Sequence, residues 1–340
     1  MSRSRLWLFR LALRAASLGL AVLLAEAVLR QGGAGPLVRR AEAAGITAHD
    51  RLLGWALLPG ARDRQTSAEF DVPVRINAQG FRADREYSPE PPPGVTRLVA
   101  VGDSFTFGNG VHVYEAWPAV LERRLDAEVI NLGVAGYGVD QQLLMLESRG
   151  LDFQPDAVLL GLHTPDIFRS TSAVHNGTGK PRFRLVPQGG LALTNVPVPP
   201  PGTPLPPPPH RGPLHRFQLW RMLSTQLERH GVGEAWGLTE GILRRMERSA
   251  SEAGARLVVL LLPPQYAVDG SLLERKKQAH TTGCIAGILR KNGIEHLDLT
   301  AALQARAEAT GEPLFFPQDG HFTPAGHRVV AREVEKLLGD

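Results

Sequence analysis

The chain has 340 residues, an apolar share of 43% and a formal net charge of +4. That is enough for one sizeable α/β domain with appendages, and a charge so mild and evenly spread leaves no footprint for nucleic acid. A single cysteine, Cys284, excludes an internal disulfide and a cysteine-based zinc cluster, and it reads as a small buried apolar residue on a helix. The eleven histidines are scattered, without a His-Glu-x-x-His pair or clustered carboxylates, and no Gly-x-x-x-x-Gly-Lys loop occurs, so neither metal nor cofactor is expected.

Residues 1–30 open with Arg3, Arg5, Arg10 and Arg14 and continue into the apolar run from Ala15 to Ala25. Basic residues ahead of an apolar run point to export with the N-terminus left in the cytoplasm. The uninterrupted run has signal-peptide length, and Ala25-Glu26-Ala27 offers a small-residue cleavage site. Leu6 to Leu29 instead spans a bilayer if Arg10 and Arg14 snorkel, a reading that absorbs all the apolar residues. The expected location is therefore the cell inner membrane, single-pass with the rest outside the cytoplasm, or the periplasm or exterior after cleavage. An amphipathic helix packed on a soluble domain is the remaining alternative.

Residues 31–95 read as an extended lead-in, with short strand-like alternation at Leu53 to Gly60 and Val74 to Arg82 and a boundary at Pro91-Pro92-Pro93-Gly94. Trp55 and Phe81 are expected to pack against the following domain, with lining of a groove as the alternative. From residue 96 onward, apolar strands alternate with helical segments, the pattern of a parallel sheet covered on both faces. The run Leu98 to Val101 is a buried strand that Gly102-Asp103-Ser104 breaks ahead of a helical stretch ending near Leu125, which sets Ser104 at a strand-to-helix turn. Val129-Ile130 runs into Asn131-Leu132-Gly133-Val134-Ala135-Gly136, and Ala157 to Gly161 runs into His163-Thr164-Pro165-Asp166.

The alternation stops over residues 170–213. Arg182 to Val186 and Leu191 to Thr194 flank Gln188-Gly189-Gly190 as a hairpin, and Pro197 to Pro209 follows as a stiff, proline-dense tract. The insertion reads either as a lid or partner surface over the mouth of the site or as a plain surface excursion. Helices are then expected over Phe217 to His230, Gly233 to Ala253, Ser271 to Asn292 and Ala301 to Thr310, and strands over Arg256 to Leu262 and Glu295 to Leu299. Asp319-Gly320-His321 precedes the closing helix from Thr323 to Leu338, in which His327 reads as structural.

Gly102-Asp103-Ser104-Phe105, the block Asn131 to Gly136 and the final Asp319-Gly320-His321, in that order, resemble the SGNH, or GDSL, hydrolase family over roughly residue 96 to the C-terminus. The residues preceding the serine resemble the lead-in of its membrane-anchored bacterial members. The resemblance implies a three-layer, doubly wound parallel sheet, a serine nucleophile and an acyl-serine intermediate. Most members carry the acid three residues before the histidine. Gln318 stands there in this chain, so the acid is Asp319, a spacing similar to the Asp-x-His arrangement of the alginate O-acetylation proteins.

An alcohol needs a base within reach, a partner to hold that base, and donors for the oxyanion. Ser104 would attack, His321 would take its proton and Asp319 would orient the imidazole. Activity should then rise as His321 loses its proton. For the oxyanion the resemblance implies the N–H groups of Ser104 and Gly136 and an asparagine amide. Alignment without gaps puts Pro165 in the asparagine's place, and proline has no donor, which leaves His163 or Thr164 as substitutes. Asp103, Asp166 and Asn131 read as framework residues. The expected activity is an esterase acting on an acylated envelope or extracellular glycan or a small acyl ester. The alternatives are an O-acyltransferase with the same triad and a degenerate module that binds a carbohydrate or a protein partner.

Overall fold

The computed structural model describes residues 45–187, 190–203 and 232–339, together with Arg14, Ser17 and Leu24. The export segment apart from those three residues, the turn at Gln188-Gly189, the tract from Pro204 onward and the helix expected over Phe217 to His230 lie outside the described residues. The chain divides into two units, residues 1–40 with 204–233 and residues 41–203 with 234–340. Among the described residues no helix is long and apolar enough to cross a membrane.

The larger unit opens with two antiparallel hairpins. β1 (Thr47–Asp50) pairs with β2 (Gly54–Leu57), and β3 (Arg62–Thr66) with β4 (Asp71–Arg75). The Asp50 carboxylate closes the first turn by accepting from the N–H groups of Leu52 and Leu53 at 2.8 and 2.9 Å. β4 alternates, with Val72 and Val74 buried between exposed neighbours, as a half-buried strand should. From residue 45 onward the lead-in is thus folded rather than extended: Leu53, Leu57, Val74, Ile76 and Phe81 share one apolar cluster with Val99 and Leu143. The Phe81 ring packs edge-on against Phe153, 5.4 Å away.

The central sheet follows. β5 (Arg97–Gly102), β6 (Glu128–Asn131) and β7 (Ala157–His163) are joined by two later strands, β12 (Arg256–Leu262) and β13 (Glu295–Asp298). Every pairing is parallel, and the spatial order is β13-β12-β7-β5-β6. The first strand therefore has the second on one side and the third on the other. That reversal is the topological switch point where such sheets hold their ligands, outside the carboxyl ends of the strands.

Side chains of β5 alternate between two cores. Val99 and Val101 face one, Leu98 and Ala100 the other. α1 (Ser104–Phe107) is a single turn, and α2 (Trp117–Leu125) follows separately, so the helix expected after Ser104 is two. α3 (Val139–Met145) covers the first face together with α5 (Val232–Glu252) and α7 (Leu272–Lys291), through Leu143, Ile242 and Leu289. α2, α8 (Thr300–Thr310) and α9 (Pro324–Gly339) cover the second, through Leu121, Leu303 and Val330. Two short helices, α4 (Pro165–Arg169) and α6 (Gln265–Val268), lie just past β7 and β12. Cys284 is only half buried on α7, its Sγ 3.9 Å from Nε2 of His280, which corrects the expectation of a core thiol.

Within residues 170–203, β8 (Val174–His175) pairs with β9 (Thr178–Gly179), and β10 (Arg182–Val186) with β11 (Gly190–Thr194). The β10–β11 hairpin lies on α5, with Phe183 fully buried, the Arg245 guanidinium over its ring, and Leu191 against Gly241. It thereby braces that helix.

Candidate active site

Ser104 follows β5 at the switch point, with Asp103 between them. The Asp103 carboxylate caps the turn by accepting from the Phe105 N–H at 2.9 Å, which fixes the first peptide of α1 and leaves the serine side chain at the sheet edge. The backbone comes close here. A Cβ on either Gly102 or Gly161 would fall within 2.2 Å of the Thr106 hydroxyl, so α1 seats on β5 and β7 only because both positions are glycine.

His321 and Asp319 arrive from the loop before α9, 217 residues further along the chain from Ser104 in the case of the histidine. His321 Nε2 lies 2.7 Å from Ser104 Oγ, and its Nδ1 is hydrogen-bonded to Asp319 Oδ1. A carboxylate only accepts, so Nδ1 carries the proton and Nε2 presents its lone pair to the serine. The other acceptor near Ser104 Oγ, Asp103 Oδ2, is 3.4 Å away, so the shorter contact to His321 takes the hydroxyl proton. Ser104 and His321 are 7% and 6% exposed, which keeps the relay nearly dry while its edge stays open.

The glycine block forms the opposite wall. Asn131 donates to the Thr106 carbonyl at 2.9 Å and accepts from the Gly133 N–H at 2.9 Å, tying β6 to α1 as a framework residue. Gly136 takes φ +81, a left-handed conformation that a side chain would strain, and a Cβ there would also press on His175 at 3.2 Å. Trp55 Nε1 donates to the Ala135 carbonyl at 3.0 Å. In a trans peptide the C=O and N–H point in opposite directions, so anchoring that carbonyl directs the Gly136 N–H away from Trp55. Among the described residues neither the Ser104 nor the Gly136 N–H has a protein acceptor.

Below the serine lies a buried charge cluster. Arg169 Nη1 donates to Asp103 at 3.0 Å, to the Tyr137 carbonyl at 3.1 Å and to Asp166. Gln142 donates to Asp166 at 2.7 Å. Burial pushes the Asp166 carboxyl well up, and the neighbouring Asp103 charge adds to this. Burial would raise Asp103 too, but the Arg169 guanidinium and the Phe105 N–H outweigh it and hold that carboxyl below its ordinary range. Both acids are framework groups of the serine turn. Arg169, which ties together the serine and glycine blocks, carries no sequence signal beyond its place four residues after Pro165.

Pro165 is the first residue of α4 and supplies no donor. His163, expected as a substitute, is not one. Its Nδ1 lies 3.2 Å from the Leu262 carbonyl, an acceptor, so Nδ1 holds the proton, and burial pushes the ring's pKa down to about 4, leaving Nε2 unprotonated. The ring stacks on Phe105 at 4.1 Å, and the His321 ring lies 4.9 Å from the same phenylalanine. Thr164 Oγ1 accepts from Gln278 at 2.7 Å and keeps its own hydroxyl hydrogen. His327 is structural: its Nδ1 accepts from the Trp117 N–H at 3.1 Å.

Two residues near the site were not singled out from the sequence. Glu69, between β3 and β4, accepts from the N–H groups of Gln318 and Asp319, and His175 of β8 stacks on Trp55 with ring centroids 6.1 Å apart. No cluster of three His, Cys, Asp or Glu side chains suited to a metal ion occurs among the described residues.

Residues 100–329 match the model of the GDSL-like lipase/acylhydrolase family. No curated protein matches the chain. Among solved structures it is similar to a member of the lipolytic protein G-D-S-L family from Veillonella parvula, at 14% identity over 72% of this chain and 99% of that one, with a TM-score of 0.43. An acetylxylan esterase from Geobacillus stearothermophilus, solved as a catalytic mutant, is 15% identical over 72% of this chain and 94% of its own, with a TM-score of 0.44. The acetyl xylan esterase AlAXEase is 14% identical over 71% and 99%, also at 0.44. With the matched segment covering most of its length, the chain belongs to the GDSL-like lipase/acylhydrolase family and is an ester-hydrolysing enzyme of that type.

Proposed function

We propose that Ser104, His321 and Asp319 form the catalytic triad, and that the enzyme removes O-acyl groups from an envelope or extracellular glycan. The observation that carries the triad is the unbroken relay from Ser104 Oγ through both nitrogens of His321 to Asp319. Ser104 Oγ attacks the acyl carbonyl carbon while His321 Nε2 takes the hydroxyl proton, and Asp319 stabilises the imidazolium. The N–H groups of Ser104 and Gly136 receive the oxyanion. As it collapses, the C–O bond to the alcohol breaks and His321 returns its proton to the leaving oxygen. Water, deprotonated by the same imidazole, then attacks the acyl carbon, the bond to Ser104 Oγ breaks, and His321 returns the proton to that oxygen as the acid leaves.

Pro165 supplies no donor where the resemblance implies an asparagine amide, and loss of one oxyanion donor costs roughly a hundredfold or more in rate. The Thr164 hydroxyl is the remaining substitute. The glycan reading is supported by the Asp-x-His spacing and by the basic-then-apolar pattern of residues 3 to 30, read as an anchor that holds the domain outside the cytoplasm. The test is acid release from an O-acetylated polysaccharide and from a small acetyl ester by the full chain in detergent. Release from both, lost in Ser104→Ala, is expected. Acyl appearing on a sugar acceptor with none in water would replace hydrolysis by transfer. Release from the small ester alone would remove the glycan.

A further inference from the structure

The two hairpins that precede the family-matched segment reach both halves of the site. In the β3–β4 turn, Ser67 Oγ accepts from the N–H groups of Glu69 and Phe70 at 3.0 and 3.2 Å, which fixes the Glu69 backbone. The Glu69 carboxylate then accepts from Gln318 N–H at 3.0 Å through each oxygen and from Asp319 N–H at 2.8 Å. The Phe70 ring lies 5.1 Å from Phe316 on the same loop. From the same hairpin, Gln65 donates to Asn109 at 2.8 Å and accepts from the Gly110 N–H at 3.0 Å, just beyond the serine helix. The β1–β2 hairpin supplies Trp55, whose indole N–H holds the Ala135 carbonyl and whose own carbonyl accepts from the Tyr137 hydroxyl at 2.6 Å.

We propose that Glu69 and Trp55 are positioning residues for the reaction, Glu69 setting the Asp319–His321 loop against Ser104 and Trp55 setting the peptide that carries the Gly136 N–H. The proposal rests on the triad reading above. The loop needs such a hold. Asp319 sits only two residues before His321, across Gly320 at φ +82, so the carboxylate and the imidazole share a short turn, and the N–H groups of Gln318 and Asp319 on it bond to Glu69. A carboxylate bonded to two successive N–H groups fixes the plane of that turn, and charge-assisted bonds of this kind are about twice as strong as neutral ones. For Trp55 the lever is the rigid peptide: a carbonyl held on one side aims the N–H on the other. Neither residue touches the reacting atoms. Both lie outside residues 100–329, so on this account the lead-in completes the active site.

The test uses the full chain in detergent with a small acetyl ester as probe, and compares Glu69→Ala, Glu69→Gln, Trp55→Phe and Ser104→Ala. Phenylalanine keeps most of the packing and removes only the indole donor. Misplacing a catalytic group by a fraction of an ångström to an ångström costs up to about a hundredfold. The expected result is a kcat about tenfold or more lower in Glu69→Ala and Trp55→Phe, with KM within about twofold. Glu69→Gln, which keeps one acceptor oxygen, should recover part of the loss. Unchanged kcat in either folded variant would overturn the proposal for that residue. So would a drop in kcat that merely tracks the unfolded fraction measured by circular dichroism. Activity surviving in Ser104→Ala would instead overturn the triad and leave the brace without a reaction to serve.

Discussion

Replacing His327 with glutamine isolates a buried imidazole whose cost is set by pH. Burial, with the charges of His321 and Arg82 adding to it, pushes this histidine's pKa from about 6.5 down to about 3. The cause is visible in its contacts: it is 1% exposed, and Nδ1 is committed as an acceptor to the Trp117 N–H at 3.1 Å. Because the folded value lies below the unfolded one, the unfolded chain binds the extra proton throughout the interval between them. Stability therefore falls as pH falls through about 6.5 toward about 3, and above that interval this group adds no pH dependence. At pH 5, about 1.5 pH units into the interval at about 1.4 kcal/mol per unit, the loss is about 2 kcal/mol. His163, pushed down to about 4 by burial, contributes a loss of the same sign. The assay is urea unfolding of wild type and His327→Gln at pH 7.5 and pH 5. Glutamine can accept from Trp117 but cannot titrate, so its acid-induced loss should be smaller than the wild type's by about 2 kcal/mol. Equal losses in the two proteins would refute the reasoning.

Three further outcomes follow from the geometry. Asp319→Asn replaces a carboxylate that can only accept with an amide that can also donate to Nδ1 and so reverse the His321 tautomer, and kcat on a small ester should fall by roughly a thousandfold or more with little change in KM, as steady-state kinetics would read. Gly136→Ala places a Cβ at φ +81 and against His175, and should cost about 1–3 kcal/mol in urea unfolding along with a loss of kcat as the Gly136 N–H is displaced. Lys180→Met leaves Asp140 buried without the ammonium it now binds and should cost about 3–5 kcal/mol, whereas Lys180→Met with Asp140→Asn should regain much of it.

What could be read from the sequence was what local chemistry dictates. The apolar run of β5 ending in Gly102-Asp103-Ser104 announces a buried strand meeting a turn, and the side chains of Ser104, Asp319 and His321 do lie in hydrogen-bond contact. The parallel sheet was legible from alternating strands and helices for the same reason. The lead-in was not. β3 reads Arg-Asp-Arg-Gln-Thr with only Gln65 buried, so its fold depends on partners at Asn109 and Gly110 rather than on its own periodicity. Glu69 meets Asp319 across 250 residues of chain, a contact no spacing rule can find. His163 looked like a spare donor because a sequence shows a ring with two nitrogens and not the Leu262 carbonyl that claims one of them. The β10–β11 hairpin was recognisable as a hairpin, but its docking on α5 is set by Phe183 and Leu191 meeting a helix about fifty residues away.

The most direct measurement of the central claim is labelling of the folded protein with a fluorophosphonate probe, beside Ser104→Ala and His321→Ala. The relay at 2.7 Å predicts covalent labelling of the parent at Ser104 and its loss in both variants. A folded parent that takes no label, or one that keeps its label when Ser104 is replaced, would contradict the account.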